Sequence, residues 1–350
     1  MKVREALSAG PLGFGTAPLG NMYRDIPDDE AFATVNAAWQ AGTRFFDTAP
    51  FYGAGLAEIR LGEALSPRPR SEYILSTKVG RIILNEVEDL SSRDHGEKGD
   101  IFKHGRANKI VVDYSADGAT RSIEDSLKRM NTGHIDFVWV HDIAQDFYGD
   151  RWLAMFEIAR TGAFRALTKL RDQGVIKGWG LGVNKVEPVE LLLSLAEVQP
   201  DATLLAGRYT LLDHEMALQR LMPAAEHKKV DIGIGGPYSS GVLAGGHHFE
   251  YRPVPPAIAR KVDKILALCE KYKIPVKAAA LQFSLAHPAS AAVIPGASKP
   301  GRILEDHEAL NTRIPDDFWR ELRSKGLVAE NAPLPIDIKR SEPMTTLRSR

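Results

Sequence analysis

The sequence contains one cysteine, Cys269, among 350 residues. A single thiol excludes an intrachain disulfide and a cluster of thiolate metal ligands, so redox chemistry would require a bound cofactor. The sequence also lacks an apolar run of about 18 residues, the length that a membrane span needs. Lys2, Arg4 and Glu5 interrupt the apolar residues near the N-terminus, unlike in a secretory signal. We therefore expect a cytoplasmic protein.

An excess of one sign of charge is also missing, because 45 basic and 45 acidic residues cancel and neither kind forms a long run. Nucleic acids and anionic membranes bind proteins that concentrate basic residues on one face, so neither is an expected partner. We expect a small molecule as the partner, and the sequence leaves the oligomeric state open. His247 and His248 have no third ligand at metal-site spacing, so we predict no metal.

Short runs of β-branched and aromatic residues alternate with longer segments whose apolar residues recur at every third and fourth position. The strand-like runs span 11–20, 44–47, 73–78, 135–141, 178–183, 202–207, 231–236 and 291–296. The helical patterns include 28–42, 120–130, 164–174 and 188–198. Repeated strand-then-helix units, eight in this interpretation, predict a parallel sheet closed into a (β/α)8 TIM barrel.

A doubly wound open sheet is the alternative fold. Its dinucleotide-binding fingerprint is G-x-G-x-x-G where a strand leads into a helix. The segments GFGTAP, GAGLAE and GLGVNK each have the first two glycines and lack the third. The sequence therefore favours the barrel.

Two segments depart from the regular alternation. Residues 80–115 are polar, contain glycine and are too long for a tight connection, so we predict a flap over one end of the barrel. We assign residues 1–328 to a single barrel domain and 329–350 to a C-terminal tail that loses periodicity. The last dozen residues of the tail are expected to be disordered.

Polar residues stand where several predicted strands end. Asp47 ends RFF, Lys78 ends YILST, His141 ends IDFVWV and Asn184 follows GLGV. The carboxyl ends of barrel strands share one rim, so these side chains should converge there. Tyr52, in the Gly-rich turn after Asp47, can reach the same mouth.

These residue types suit proton transfer to an oxygen. A phenol such as Tyr52 is a weak acid, and an ammonium group at Lys78, held by Asp47, would lower its pKa. A neutral His141 could orient a carbonyl oxygen toward the phenol. Taken singly, Asp47 could be a turn former, Tyr52 a packing ring and His141 a structural histidine. Together they predict a site that supplies the proton in a reduction. Such a reaction also needs a source of hydride.

The same segments resemble the aldo-keto reductases. FFDTAPFYGAGLAEIRLGEAL is similar to the first signature of that superfamily, STKVGR to its lysine segment and DFVWVHD to its histidine strand. The resemblance implies a catalytic tetrad of Asp47, Tyr52, Lys78 and His141 and hydride transfer between NAD or NADP and a carbonyl, alcohol or cyclic hemiacetal. YSADGATRSIEDSLKRM and LLAGRYTLLD resemble the branch of fucose, arabinose and galactose dehydrogenases and pyridoxal 4-dehydrogenase.

The resemblance also implies where the nicotinamide nucleotide binds. The matching cofactor positions are Thr16, Asp47, Asn184, Ser239, Ser240, Gly241, Leu243, Gly296, Ser298, Lys299 and Arg302. A glycine turn that leads into a helix start, with Lys299 and Arg302 beside it, is also a sound phosphate site on physical grounds. Phe51 and Asp142, which adjoin tetrad members, are the predicted substrate residues.

Three positions depart from the common family pattern. Ala206 replaces a carboxamide-binding Gln, Gly235 a stacking Tyr and Asp306 an Asn near the adenine. The choice between NAD and NADP stays open, as do the substrate and the physiological direction. The rival functions are an NADPH-dependent reductase of bulky ketones or aldehydes and a non-catalytic module that senses cofactor.

Overall fold

The structure is a computed structural model that describes residues 2–90 and 101–338. Its strands fall into one large parallel sheet and two small antiparallel hairpins. In chain order the strands are β1 (Phe14–Gly15), β2 (Phe45–Asp47), β3 (Ile74–Val79), β4 (Arg81–Val87), β5 (Asn108–Val112), β6 (Phe137–His141), β7 (Gly178–Val183), β8 (Ala202–Ala206), β9 (Asp231–Gly235), β10 (His248–Phe249), β11 (Arg252–Pro253) and β12 (Ser290–Ile294).

The large sheet is a closed barrel. Its eight strands follow the order β1-β2-β3-β6-β7-β8-β9-β12, and all neighbouring pairs are parallel. Bridges between Leu12 and Val293 and between Gly15 and Gly296 join β12 to β1 and close the ring. The predicted (β/α)8 barrel is confirmed, although the first strand is shorter than the predicted run 11–20 because a 3-10 turn begins at Ala17.

Helices follow the strands and cover the outside of the barrel. They are α1 (Val3–Ala6), α2 (Asp28–Gln40), α3 (Leu56–Leu65), α4 (Ala116–Arg129), α5 (Gln145–Tyr148), α6 (Trp152–Thr161), α7 (Ala163–Asp172), α8 (Glu187–Ser194), α9 (Glu215–Gln219), α10 (Leu221–Lys228), α11 (Pro256–Tyr272), α12 (Val276–Leu285), α13 (Pro300–Asn311) and α14 (Asp316–Ser324).

Local sequence explains where these helices begin and end. The hydroxyl of Ser115 accepts a hydrogen bond from Gly118 N at 3.0 Å and caps α4, which starts earlier than the predicted 120–130. Lys128 and Arg129 occupy its last turn, where cations favour the negative end of the helix dipole. Polar residues cover its outer face, so the periodic apolar stripe faces the barrel.

The core has an inner and an outer layer. Inside the barrel, Phe45, Phe137, Trp139 and Leu204 form one apolar cluster, and Val3 of α1 joins it. The larger cluster lies between the strands and the surrounding helices. Strands β3 and β7 are buried along their whole length because side chains on both faces meet apolar partners. The amino end of the barrel is thus filled, and the opposite end is left for a site.

The two ends of the predicted flap at 80–115 form the two strands of a hairpin. Strands β4 and β5 pair antiparallel, and residues 91–100 between them lie outside the described residues. Ile101 and Phe102 reach back over the carboxyl end of the barrel, where they line a cavity. The assignment of the whole segment as a flap stays a prediction.

The C-terminal segment packs on the barrel where it is described. Ala332 and Leu334 are buried, and Ala329 N donates to His214 Nε2 at 3.0 Å. The last dozen residues, 339–350, lie outside the described residues, and their disorder stays a prediction. Within the described ranges, no helix has the length and apolar character to cross a membrane.

Candidate active site

The polar strand ends meet at the carboxyl rim of the barrel, as the sequence predicts. Asp47 is the last residue of β2, Lys78 is the penultimate residue of β3, and His141 is the last residue of β6. Asn184 follows β7 directly. The parallel register places Lys78 beside Trp139, two residues before His141, so these strands deliver their polar groups to one site.

A buried ion pair lies at the base of this site. Lys78 Nζ donates to Asp47 Oδ2 at 2.7 Å and to the backbone oxygen of Thr48 at 2.8 Å. Asp47 Oδ1 accepts from Ser76 Oγ at 2.6 Å and from Trp139 Nε1 at 3.0 Å. Both charged side chains are nearly inaccessible, and these hydrogen bonds offset the cost of removing them from water. These hydrogen bonds therefore fix the positions of both charged groups at the bottom of the site.

Close backbone packing holds the Tyr52 turn in place. Gly53 has φ +63, and a Cβ there would lie 2.3 Å from the backbone oxygen of Gly20. A Cβ at Gly20 would in turn lie 2.5 Å from the carbonyl carbon of Tyr52. Only glycine allows this contact, which explains why Tyr52 sits in a glycine-rich segment.

The ring of Tyr52 stands above the ion pair. Lys78 Nζ is 4.7 Å from the ring centroid, and the imidazole of His141 is edge-on at 5.9 Å. The ring of Phe102 also stacks on Tyr52, with the ring centroids 5.7 Å apart. The tetrad predicted from sequence is therefore brought together in space.

The pKa of the Tyr52 phenol is raised well above its usual value. Burial is the main cause, and the negative charge of Asp47 adds to it. The predicted net lowering of this pKa is therefore wrong: the ammonium group of Lys78, which donates to Asp47 and Thr48, does not outweigh burial. Tyr52 therefore keeps its proton across the neutral range.

Beside Tyr52 lies a second buried ion pair. Arg81 Nη1 is 3.0 Å from Asp142 Oδ2, and both side chains are nearly inaccessible. Burial alone would lower the pKa of Arg81, but the neighbouring Asp142 carboxylate raises it. Asp142 Oδ2 also lies 3.3 Å from His141 Nε2, and Asn184 Nδ2 donates to Asp142 Oδ1 at 3.3 Å. The sequence did not single out Arg81.

Two cavities share this group of residues. The smaller, of about 80 Å³, is lined by Lys78, His141 and both predicted substrate residues, Phe51 and Asp142; we call it the substrate chamber. The larger, of about 460 Å³, runs from Asp47 toward α13, and we call it the long cleft. Tyr52 lines both.

The long cleft gathers most of the predicted cofactor residues. Those in its lining are Asp47, Asn184, Ser239, Ser240, Gly241, Gly296, Ser298 and Arg302. Thr16 and Leu243 are fully buried and do not belong to its lining. Lys299 is exposed. The pKa of the nearby Glu30 is lowered mainly by a hydrogen bond from Arg24, and the charge of Lys299 contributes to this lowering.

The long cleft fits a nicotinamide dinucleotide. Gly15, Gly207, Gly236, Gly241 and Gly296 form much of its wall, so backbone replaces side chains where a ligand would lie. A Cβ at Gly207 or Gly241 would meet open space or only one distant atom. The positive φ values of Ser239, Ser240 and Gly241 turn the chain sharply there. Arg302 and the start of α13 offer positive charge for a phosphate.

Asp306, which departs from the common family pattern, is paired. Its carboxylate accepts from Tyr238 Oη at 2.7 Å and lies 2.5 Å from Lys277 Nζ. Burial raises the pKa of Asp306, and Lys277 opposes that rise. The charge of Asp306 is thus balanced by Lys277 within the protein itself.

Sequence reasoning missed an aromatic residue that separates the two cavities. Tyr251 lines both, and its backbone N donates to Ser240 Oγ at 3.2 Å. The hairpin of β10 and β11 carries it, and His248 of that hairpin stacks on Tyr23 at 5.0 Å. The alternating pattern HFEYRP could have indicated this hairpin, although no local signal places it over the cleft.

A barrel that combines a phenol, an ammonium–carboxylate pair and an imidazole with a glycine-lined cleft defines a nicotinamide-dependent oxidoreductase. The sequence profile described as "Aldo/keto reductase family" matches residues 11–326. The chain therefore belongs to the aldo/keto reductase family and is an NAD(P)-dependent enzyme. The family expected from the sequence segments is confirmed.

Curated relatives span nearly the whole chain. Pyridoxal 4-dehydrogenase of Microbacterium luteolum is 38% identical over 93% of this chain and 96% of the relative. D-threo-aldose 1-dehydrogenase of a Pseudomonas species is 33% identical over 92% of this chain and 95% of the relative. L-galactose dehydrogenase of Arabidopsis thaliana is 28% identical over 87% of this chain and 85% of the relative.

Solved structures support the fold. A holo aldo-keto reductase from Bacillus halodurans aligns with a TM-score of 0.66 at 22% identity, covering 91% of this chain and 92% of that one. A glycerol dehydrogenase from Gluconobacter oxydans aligns with a TM-score of 0.65 at 22% identity, covering 94% of each chain. At this level of identity, the similarity supports only the barrel fold.

Proposed function

We propose that this enzyme oxidises the cyclic hemiacetal form of a small hydroxylated aldehyde, of the aldose or pyridoxal type, with NAD(P) as the acceptor. One observation carries the proposal: Tyr52 lines both the substrate chamber and the long cleft. A group bound to its hydroxyl would therefore face a nicotinamide held in the cleft. The names of the pyridoxal, D-threo-aldose and L-galactose relatives support this substrate class.

The roles of the tetrad follow from its geometry. When bound, the nicotinamide supplies the site that takes or gives hydride. Tyr52 takes the proton of the substrate hydroxyl during oxidation and returns it to the carbonyl oxygen during reduction. His141 orients that oxygen, and Asp47 fixes Lys78 beneath the phenol ring. Because burial raises the pKa of Tyr52, oxidation should speed up as pH rises, whereas reduction starts from the protonated form.

The size of the substrate chamber argues against one rival. A cavity of about 80 Å³ walled by Phe51, Phe102 and Phe147 suits a single small ring better than a bulky ketone. The assembled tetrad and its buried ion pair argue against a purely cofactor-sensing module, which would need no proton donor. We also propose a cytoplasmic location.

The nucleotide preference is part of the proposal. Arg302 lines the long cleft, whereas Lys299 is exposed, so Arg302 is the residue we propose to contact a 2′-phosphate. Lys277 also lines that end of the cleft, but its charge is paired with Glu305 and Asp306. We therefore propose that both NAD and NADP are accepted.

Absorbance at the nicotinamide band tests the substrate class. The purified protein is incubated with each nucleotide and with L-galactose, D-arabinose, pyridoxal or a bulky aryl ketone. We expect reduced nucleotide to accumulate with at least one aldose or with pyridoxal. Reduction of the aryl ketone alone would favour the rival reductase, and no change with any compound would favour the sensing module.

A further inference from the structure

One wall of the substrate chamber contains a carboxylate. Asp142 is only 4% exposed, yet it belongs to the chamber lining together with the imidazole of His141. Much of the remaining wall is apolar, formed by Phe51, Phe102 and Phe147. The chamber is therefore lined by both aromatic rings and hydrogen-bonding groups.

The carboxylate of Asp142 is held from several directions. Arg81 Nη1 lies 3.0 Å from Oδ2, and the Arg81 guanidinium lies over the rings of Phe51 and Phe147 at 4.4 and 4.8 Å. Asn184 Nδ2 donates to Oδ1 at 3.3 Å. A carboxylate anchored in this way cannot swing away from the chamber when a substrate enters, so its orientation is set in advance.

The backbone of Asp142 is also unusual. Its φ is +54, in the left-handed region that residues other than glycine adopt at some cost. Such conformations concentrate at functional sites, where the surrounding structure enforces them. Here the backbone N of Asp142 donates to Gly182 O at 2.9 Å, which keeps the turn in register with β7.

Distances within the site relate Asp142 to the reacting oxygen. His141 Nε2 and Asp142 Oδ2 are 3.3 Å apart. A substrate oxygen bonded to His141 and a second oxygen bonded to Asp142 would each lie about 3 Å from their partners. Two oxygens on neighbouring carbons of a small ring, or one carbon further apart, can satisfy both contacts.

We propose that Asp142 accepts a hydrogen bond from a substrate hydroxyl adjacent to the reacting carbon and thereby selects hydroxylated rings. This inference rests on the proposed function and refines its substrate class. An ionised carboxylate only accepts hydrogen bonds, so it favours a hydroxyl donor and disfavours a carbonyl, an ether or an anion at that place. A substrate without the hydroxyl loses this hydrogen bond, while Arg81 and Asn184 keep their contacts with the carboxylate.

The kinetic test compares a sugar with its deoxy counterpart. L-galactose and 2-deoxy-L-galactose differ only in the hydroxyl that Asp142 would bind. We expect wild-type kcat/KM to favour L-galactose at least about tenfold, since a hydrogen bond to a charged group discriminates by that order. In Asp142→Asn the preference should fall to about threefold or less, mainly through a higher KM for L-galactose.

Asp150→Asn is the matched control. Asp150 is an exposed carboxylate in the same connection after β6, outside both cavity linings. Its substitution should leave the ratio of the two sugars at the wild-type value. If Asp142 is only the counter-ion of Arg81, Asp142→Asn should slow both sugars by the same factor, and an unchanged ratio overturns the proposal.

A binding measurement separates this inference from the proposed function. Calorimetry with wild-type protein and NAD compares 1,5-anhydro-L-galactitol, which cannot be oxidised at its C1, with its 2-deoxy counterpart. We expect tighter binding of the hydroxylated ring by about tenfold, whether or not turnover occurs. Equal binding overturns the role of Asp142 even if aldoses are oxidised, whereas a preference without any turnover would show that only the proposed reaction is wrong. This binding experiment uses only the wild-type protein, so a folding defect in Asp142→Asn would not affect its result.

Discussion

Lys78 directs its hydrogen bonds to Asp47 and Thr48 rather than to the phenol above it. Its charge still lies 4.7 Å from the Tyr52 ring centroid, close enough for an attraction between cation and ring. The ammonium group therefore positions the ring, while burial sets the proton affinity of its hydroxyl. Lys78 thus acts mainly on the position of the ring, and burial is the larger influence on the acidity of its hydroxyl.

At this scale, Tyr52→Phe should abolish turnover and leave nucleotide affinity nearly unchanged. The substitution removes the transferable proton and keeps the ring that packs on Phe102. We expect kcat to fall by about 100-fold or more, while quenching of protein fluorescence by the nucleotide gives a similar Kd. Tyr272→Phe, on the outer helix α11, is the control phenol. Turnover within about tenfold of wild type would remove Tyr52 from the mechanism.

Lys78→Met should lower kcat by about 100-fold and shift the pH profile. Oxidation requires the ionised phenol, whose pKa burial already raises, so the oxidation rate should rise toward alkaline pH in the wild type. Without the nearby cation, the phenolate is less stable and this rise should move to still higher pH. Rates measured from pH 6 to 10 with an aldose check it. An unmoved profile with full activity would contradict the role of Lys78.

Two elements that follow the neighbouring strands β9 and β12 complete the site at the rim. The hairpin of β10 and β11 brings Tyr251 between the two cavities, and Gly235 of β9 stands where the common family pattern has a stacking Tyr. A Cβ at Gly235 would lie 3.3 Å from Ala206 Cβ, so the floor formed by these small residues leaves room for a flat ring. The hairpin thus supplies an aromatic side chain, Tyr251, to a site in which Gly235 and Ala206 provide none.

The start of α13 is the second such element. Its first turn contains Pro300 and Gly301, and the start of a helix carries partial positive charge. Arg302 follows in the same turn and lines the cleft, whereas Lys299 before the helix is exposed. The positive end of the helix and one guanidinium therefore act at the same place.

If Arg302 contacts the 2′-phosphate, Arg302→Ala should raise the KM for NADP about tenfold or more and change the KM for NAD little. A bidentate contact between guanidinium and phosphate is charge-assisted, and NAD has no group to lose there. Steady-state kinetics with each nucleotide measure the two effects. Arg313→Ala, an exposed cation beyond the end of α13, is the control. An equal loss for both nucleotides, or none, would show that Arg302 does not distinguish them.

For the whole molecule, barrel closure depends on close contact between strands. Strand β7 has the sequence GWGLGV, and its glycines let neighbouring strands approach. A Cβ at Gly180 would lie 1.6 Å from the backbone oxygen of Ala202 in β8, and the backbone there cannot give way without parting the strands. Tight closure in turn holds β6 and β7 at the spacing that brings His141 near Asn184.

Gly180→Ala should therefore destabilise the whole barrel. We expect the free energy of unfolding to fall by about 3 kcal/mol, as for a severe overpacking substitution. Urea denaturation followed by circular dichroism measures it. Gly133→Ala is the matched control, because a Cβ at Gly133 meets no atom within 4 Å. Equal stability of the two variants would mean that β7 and β8 can separate without loss.

The sequence determined the repeated units and the chemistry at their ends. Apolar periodicity at two and at three to four residues is a local property, so the strands, the helices and their order could be predicted from it. Polar residues at the ends of β2, β3 and β6 could be matched with one rim because parallel strands end together. The family was recognisable for the same reason, since its signatures are short segments.

Only the tertiary structure decided how these groups affect one another. The direction of the Tyr52 pKa depends on burial and on where Lys78 places its hydrogen bonds, and neither is visible in STK or FYG. The pairing of Arg81 with Asp142 and the entry of Tyr251 join residues far apart in the chain. Electrostatic and packing energies depend on distances through space, whereas sequence patterns report neighbours along the chain, so these features emerged only once the barrel had closed.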